Sequence, residues 1–371
     1  MRILVTGGAG FIASFLVDEL VRLGHDVRVF DNLAEQVHLD GEPPDYLNPE
    51  AEFIRGDVRD REILKCALDG VEAVFHEAAA VGVGQSQYEI KHYVDANIGG
   101  TANLLDILAN EDHRVGKIVV AASMSSYGEG CYRCETHGIV RPPLRTDEQM
   151  AREEWELFCP ECGSVLAAVP TDETAAYFPN SVYAITKEVQ EDLVLNFGRT
   201  YGIPAVALRY FNVYGPRQSL SNPYTGVAAI FLSRLKNGNP PVVYEDGLQT
   251  RDFVSVHDVV RANVLALERT LDGPASFNIG MGTPRTIVSI AETLADLLEV
   301  DITPHVAQTF RKGDVRHVYA DVSRAREQLG FEPRVSFEDG MRELIQWSLE
   351  AKSADYFEEA TEQLKRRGLV T

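Results

Sequence analysis

Tyr183 and Lys187 stand four residues apart in the stretch Tyr-Ala-Ile-Thr-Lys. On a helix, positions i and i+4 share a face, so phenol and ammonium would lie side by side. A phenol titrates near ~10 and is a poor base at neutral pH. Bringing it down by ~3 units takes roughly 4 kcal/mol of preferential stabilisation of the phenolate, and nearby positive charge is a source of it. The chemistry these residue types allow is removal of a proton from an alcohol as hydride leaves its carbon. Tyr-x-x-x-Lys also arises by chance on many helices, so the surrounding elements carry the argument.

Those elements begin at the first residue. Met1–Thr6 is a short apolar run that reads as a buried parallel strand, followed by Gly7-Gly8-Ala9-Gly10-Phe11-Ile12-Ala13. An amphipathic stretch with Phe15, Leu16, Leu20 and Leu23 at helical spacing comes next, closed by Gly24. Gly7 and Gly10 permit a tight turn and close approach of backbone to a pyrophosphate, which meets the free N–H groups of the helix start at Phe11 and Ile12. The next strand, 26–30, ends in Asp31, whose carboxylate can accept both hydroxyls of an adenosine ribose. Asn32 follows, and no Arg or Lys in 32–36 invites a 2′-phosphate, so the expected cofactor is NAD. The positive charge of an oxidised nicotinamide would then add to that of Lys187.

Further strands recur at the cadence of an α/β, doubly wound parallel Rossmann sheet. Residues 52–55 lead to Gly56-Asp57-Val58, 73–76 to Ala78-Ala79-Ala80, and 117–121 to Ser123. Asp57 and Val58 sit where an adenine edge would be read, and the small side chains of Ala78, Ala79 and Ala80 let a strand end approach the cofactor. Asp57 could equally cap a helix.

With these motifs the chain resembles the extended short-chain dehydrogenases/reductases that act as nucleotide-sugar epimerases and dehydratases. The likeness covers nearly the whole length. It rests on the residues above and on Asn97-Ile98-Gly99-Gly100-Thr101, Ser123…Tyr127-Gly128, Arg209–Arg217, Gln249–Phe253 and Gly313-Asp314-Val315-Arg316. The resemblance implies that Ser123 hydrogen-bonds the reacting sugar hydroxyl and that Tyr183 is the acid/base. It also implies that Lys187 orients the nicotinamide ribose and tunes Tyr183, and it places Asn97 with the cofactor. Asn212 would contact the phosphates of a nucleotide-diphosphate sugar, with Arg251, Arg311 and Asp314 on the same side. Arginine suits that place because its planar fork meets phosphate oxygens at two points.

One departure separates reactions. Family members that remove water carry Asp-Glu directly after the Ser/Thr, whereas Met124 and Ser125 follow Ser123 here. Neither can act as a general acid or base at neutral pH. A 4,6-dehydratase is therefore disfavoured, and 4-epimerisation through a transient 4-keto sugar is expected, with NAD regenerated each turnover and tightly held. Two other classes stay open. A net oxidoreductase, a 4-keto reductase or dehydrogenase, would consume cofactor stoichiometrically. An idle NAD-binding protein would have no reason to keep Ser123, Tyr183 and Lys187 together.

The segment between Ser123 and Tyr183 is about twice what such a scaffold needs. It holds Cys131-Tyr-Arg-Cys134 and Cys159-Pro-Glu-Cys162, four of the five cysteines. Two such knuckles read as a closed, structural four-thiolate zinc site made by Cys131, Cys134, Cys159 and Cys162. His137 could replace one cysteine, though its spacing fits less well. A nucleic-acid ribbon is a poor reading, since 131–162 carries four Arg against seven Asp/Glu. A brace for a flap over the pocket mouth, or a subunit contact, is the expected role. The insertion resembles that of dTDP-L-rhamnose 4-epimerase-like members, with a UDP-glucose 4-epimerase-like substrate as the alternative.

Composition sets outer limits. The net charge of −21 opposes nucleic acid or an anionic membrane as partner, and no run of about twenty apolar residues is present. The first strand starts at Met1, which leaves no room for a signal peptide, so a cytoplasmic location is expected. The domain reading assigns 1–130 and 163–212, plus about 242–272, to NAD binding. It assigns 131–162 to the zinc-ribbon-like insertion, and 213–241 with 273–371 to the nucleotide sugar. By resemblance, long helices at 97–108 and 181–200 pair two subunits into a homodimer.

Overall fold

The computed structural model describes residues 1–38, 40–351 and 353–371. Seven strands build its central sheet: β1 (Arg2–Thr6), β2 (Asp26–Asp31), β3 (Glu52–Arg55), β4 (Ala73–His76), β5 (Lys117–Ser123), β6 (Ala205–Tyr210) and β7 (Ala275–Ile279). In space they run β7-β6-β5-β4-β1-β2-β3, and every pair is parallel. β1, β4, β6 and β7 are buried almost from end to end, as strands covered on both faces must be, and so read as apolar runs rather than alternations. Two core clusters, one on each face, hold the sheet between its helices.

The order of strands reverses between β4 and β1, the place where such sheets open a crevice beyond their carboxyl ends. The helix Phe11–Arg22 starts there, directly after the glycine turn. On the opposite side Val182–Tyr201 is capped by the Ser181 hydroxyl accepting from Ala184 N at 3.1 Å, and is closed by Gly202 in the left-handed region at φ 69°. It packs against β5 and β6. The helix before it runs Ile90–Tyr93, then a π-helical turn Val94–Gly99, then Gly100–Asn110.

Two expected boundaries differ. β7 lies in the stretch assigned to the sugar-binding half, yet its five buried residues complete the central sheet. Conversely Thr250–Ser255 does not join that sheet. It pairs with Asn212–Tyr214, Pro284–Thr286 and His317–Val318 in a small second sheet above the strand ends. A third core cluster gathers beside it from Val227–Lys236, Ile287–Leu297 and Phe337–Ser348.

The insertion has its own three-stranded antiparallel sheet, Gly138–Val140, Cys131–Cys134 and Ala167–Val169 in that order. It therefore extends past residue 162 to at least Val169. No helix among the described residues is long and apolar enough to cross a membrane.

Candidate functional site

The carboxyl ends of β1, β2, β4, β5 and β6 open into one cavity of about 630 Å³. Gly7, Gly10, Phe11, Ile12, Asp31, Asn32, Asp57, Val58 and Ala78–Ala80 line one end of it, and Ser123, Tyr183, Lys187, Asn212, Arg251, Arg311 and Asp314 also line it. Gly7 is required twice over. Its φ is +69°, and a Cβ there would stand 2.9 Å from the Ala78 backbone. Gly10 has an ordinary φ of −74° and is constrained instead by the Gly7 carbonyl, 3.1 Å from where a Cβ would be.

At the β2 end Asp31 first serves the loop: its two oxygens accept from Ala9 N at 3.1 Å and Leu33 N at 2.8 Å. Asn32 donates to Asp57 at 2.9 Å. Asp57 also takes two hydrogen bonds from the Arg59 side chain, which hold its carboxyl down at about 2. Arg59, outside the 32–36 stretch that was read for basic residues, also stands on this rim.

Asn97 was expected with the cofactor but is not among the residues that line the cavity. It is fully buried behind the cavity wall. Its amide accepts from Ala80 N at 2.7 Å and donates to the Ala80 carbonyl at 3.1 Å and the Thr186 hydroxyl at 2.9 Å. Both its donors and one acceptor site are spent clamping the β4 loop to the helix that carries Lys187.

The reacting end is largely buried. Burial pushes the Tyr183 phenol up from its usual value, and the Ser123 hydroxyl opposes that rise. Ser123 is itself held by Ser125, whose hydroxyl donates to it at 2.8 Å. Burial brings the Lys187 ammonium down to about 8, with Glu77 and Glu191 pulling it back up. Lys187 is not among the groups that shift Tyr183, so its tuning of the phenol is not visible in the protein alone.

On the sugar-nucleotide side, the side-chain oxygens of Asn212, Gln218 and Gln249 are buried without a hydrogen-bond partner among the described residues, and all three residues line the cavity. Buried acceptors of this kind call for donors from a ligand. Arg251 spends one flank on the carbonyls of Thr250, Val315 and Arg316. Arg311 is paired with Asp314 at 2.7 Å.

The chain matches known proteins over most of its length. Residues 3–147 match the sequence profile of the NAD dependent epimerase/dehydratase family, and residues 163–344 that of GDP-mannose 4,6 dehydratase. A dTDP-L-rhamnose 4-epimerase of Burkholderia thailandensis is 36% identical over 350 residues, 93% of this chain and 94% of that one. The chain belongs to the NAD-dependent epimerase/dehydratase family. Among solved members, UDP-glucose 4-epimerase of Thermotoga maritima with UDP-glucose is 34% identical at a TM-score of 0.77, covering 94% of this chain and 98% of that one. The Thermus thermophilus UDP-glucose 4-epimerase complex with NAD is 29% identical at 0.75, covering 95% and 100%.

No residue from 129 to 179 among those described lines the cavity. The insertion meets the cavity wall from behind, through Arg145 to Glu245 and through Glu156 to Arg316 at 2.6 Å and His317 at 3.2 Å. Cys131 also stands apart from the other cysteines. Cys131–Cys134 is a β-strand, where residues three apart point to opposite faces. Cys131 accordingly packs with Tyr127, Phe211 and Val318. The sulfur atoms of Cys134, Cys159 and Cys162 and a ring nitrogen of His137 all lie within 4.8 Å of one another.

Proposed function

We propose that this protein is an NAD-dependent nucleotide-sugar 4-epimerase working through a transient 4-keto sugar. The observation that carries the reading is the convergence of Ser123, Tyr183 and Lys187 in the same cavity as the glycine turn, with Met124 and Ser125 where a dehydratase keeps its acid pair. The Gly7–Ala78 approach and the helix start at Phe11 fit a dinucleotide diphosphate. NAD, when bound, supplies a hydride acceptor and a positive ring beside the phenol. Tyr183 takes the proton from the sugar C4 hydroxyl and later returns one to the same oxygen. Ser123 orients that hydroxyl, and Lys187 holds the cofactor ribose. Asp31 and Asp57 meet the adenosine end, while Asn212, Arg251 and Arg311 meet the sugar nucleotide. A dTDP-6-deoxyhexose is the substrate we favour, from the likeness to the dTDP-L-rhamnose 4-epimerase.

The reading is tested by denaturing purified protein, identifying released NAD, and following dTDP-6-deoxyhexoses and UDP-hexoses by NMR without added cofactor. Interconversion of C4 epimers supports it. Stoichiometric NAD(H) consumption with a net redox product would replace it with the oxidoreductase reading.

Two further assignments belong to the same reading. The insertion binds one structural zinc ion through Cys134, His137, Cys159 and Cys162. The Cys134–Cys162 sulfur separation of 3.6 Å, and Nδ1 of His137 at 3.6 Å from Cys134 and 3.3 Å from Cys159, suit a tetrahedron with Zn–S of ~2.3 Å and Zn–N of ~2.0 Å. The His137 Nε2 faces Glu161 at 3.6 Å, the usual outer partner of a zinc-bound imidazole. The protein is also assigned as an isologous dimer, since Ile90, Val94 and Ile185 are exposed on the two long helices. A monomeric mass by light scattering at micromolar concentration would overturn the dimer.

A further inference from the structure

Glu77 is a carboxylate that the reaction as described does not use, placed immediately after β4 between His76 and the Ala78 loop. It lines the cavity with Ser123, Tyr183, Lys187 and Tyr210. Its carboxylate accepts from the Tyr210 hydroxyl at 2.9 Å, and that hydroxyl accepts from the Asn263 amide at 2.7 Å. Tyr210 ends β6 and is the register partner of Ser123. The carboxylate is thus fixed on the cavity floor by two strands and a helix.

The titratable groups around Lys187 can be followed element by element. Its own helix offers Tyr183 and Glu191. β4 and the residue after it offer His76 and Glu77, and β6 offers Arg209 and Tyr210. Glu191 is already committed: Arg209 grips it from two nitrogens, the shortest contact being 2.7 Å, and both side chains are buried. The His76 ring is buried between the Thr6 and Thr101 hydroxyls at 2.9 Å each, and its position favours the neutral form. Of the two carboxylates whose charge acts on Lys187, Glu191 and Glu77, only Glu77 has no arginine within 4.0 Å among the described residues. Among the described residues no hydrogen bond or ion pair within 4.0 Å satisfies the Lys187 ammonium, so its charge state depends on the field across the floor.

We propose that Glu77 is a positioning residue of this site, the counter-charge that keeps the Lys187 ammonium protonated while Tyr210 and Asn263 hold the carboxylate in place. Burial drives both groups toward neutrality, Glu77 up to about 7 and Lys187 down to about 8, and each opposes the shift of the other. Removing the carboxylate charge leaves burial unopposed, so Lys187 must titrate lower. The Tyr210 hydrogen bond favours the ionised carboxylate, so losing it acts in the same direction but less strongly.

The inference rests on Lys187 belonging to the cofactor site, and its test reads the lysine charge without turnover. Holoenzyme is labelled with 13C at lysine Cε, the Lys187 resonance is identified by its loss in Lys187→Met, and its titration is followed by NMR in the native protein, Glu77→Gln and Tyr210→Phe. Glu77→Gln is isosteric and keeps an oxygen for Tyr210 to bond. The expected result is a downward shift of about one pH unit or more in Glu77→Gln, and a smaller downward shift in Tyr210→Phe. A Lys187 titration in Glu77→Gln that matches the native protein overturns the proposal. If Glu77→Gln does not fold, an unshifted titration in Tyr210→Phe overturns it instead. Either failure leaves C4 epimerisation by Tyr183 as it stands.

Discussion

Arg145 and Glu245 meet in a two-point ion pair at 2.8 and 2.9 Å, with both side chains almost wholly withdrawn from solvent. The pair joins the insertion to the strand end that leads to Gln249 and Arg251. Arg145 also donates to the Asp314 carbonyl at 3.1 Å, and Arg316 reaches Glu245 from the other side at 3.0 Å. A surface decoration would not be bonded to both substrate-side arms.

Breaking such a pair from one side leaves a buried charge, at a cost of about 3–5 kcal/mol. Arg145→Met is therefore expected to lower stability by that order in urea denaturation. A loss of under about 1 kcal/mol would show that Arg316 alone satisfies Glu245.

Tyr183→Phe should cut kcat by more than ~10²-fold, the scale of a lost general base. NAD content after purification should be unchanged, because Gly7, Phe11 and Asp31 are untouched. Near-normal turnover by a folded variant would remove Tyr183 from the acid/base role.

Ser123 opposes the burial-driven rise of the Tyr183 phenol. The base must be ionised to act, so activity falls as pH drops through its titration. Ser123→Ala should move that acidic limb to higher pH, beyond any loss of rate at the plateau. A limb that stays in place would assign Ser123 to substrate orientation alone.

His76 gives stability its own pH dependence. Burial, and then the charge of Lys187, bring it from 6.5 to about 3 in the folded protein. Its folded pKa is depressed, so below 6.5 the unfolded chain binds a proton that the native one refuses. Stability is then lost at up to ~1.4 kcal/mol per pH unit until about pH 3. Comparing urea midpoints at pH 7 and pH 5.5 for native protein and His76→Gln checks this, and the variant should lose part of the slope. Equal slopes would mean that other groups carry it.

The zinc assignment separates two ligand sets. Cys131→Ser should keep one zinc per chain by elemental analysis, whereas His137→Ala and Cys159→Ser should lose most of it. Loss should raise KM for the sugar nucleotide through the Arg145 and Glu156 contacts and leave NAD bound. Zinc lost equally in Cys131→Ser would restore the four-cysteine set.

What the residues alone determined is what local chemistry repeats along the chain. The glycine turn, the acid after β2 and the i, i+4 pair Tyr183–Lys187 are readable because backbone geometry and helix periodicity act over a few residues. The order of apolar runs likewise implies a parallel sheet, since buried strands have no alternation to hide. Tertiary structure decided the rest. Cys131 lies apart from the cluster of Cys134, His137, Cys159 and Cys162 because a C-x2-C spacing does not reveal whether it lies on a turn or on a strand, and the strand sends Cys131 to the opposite face. Asn97 moved behind the wall because its partners, Ala80 and Thr186, are distant in sequence. Glu77 takes its place from the fold, which sets the Tyr210 hydroxyl against its carboxylate in the cavity that Lys187 also lines. β7 and the Thr250–Ser255 strand exchanged sheets for the same reason: a strand's neighbours are chosen by packing, which no short window of sequence contains.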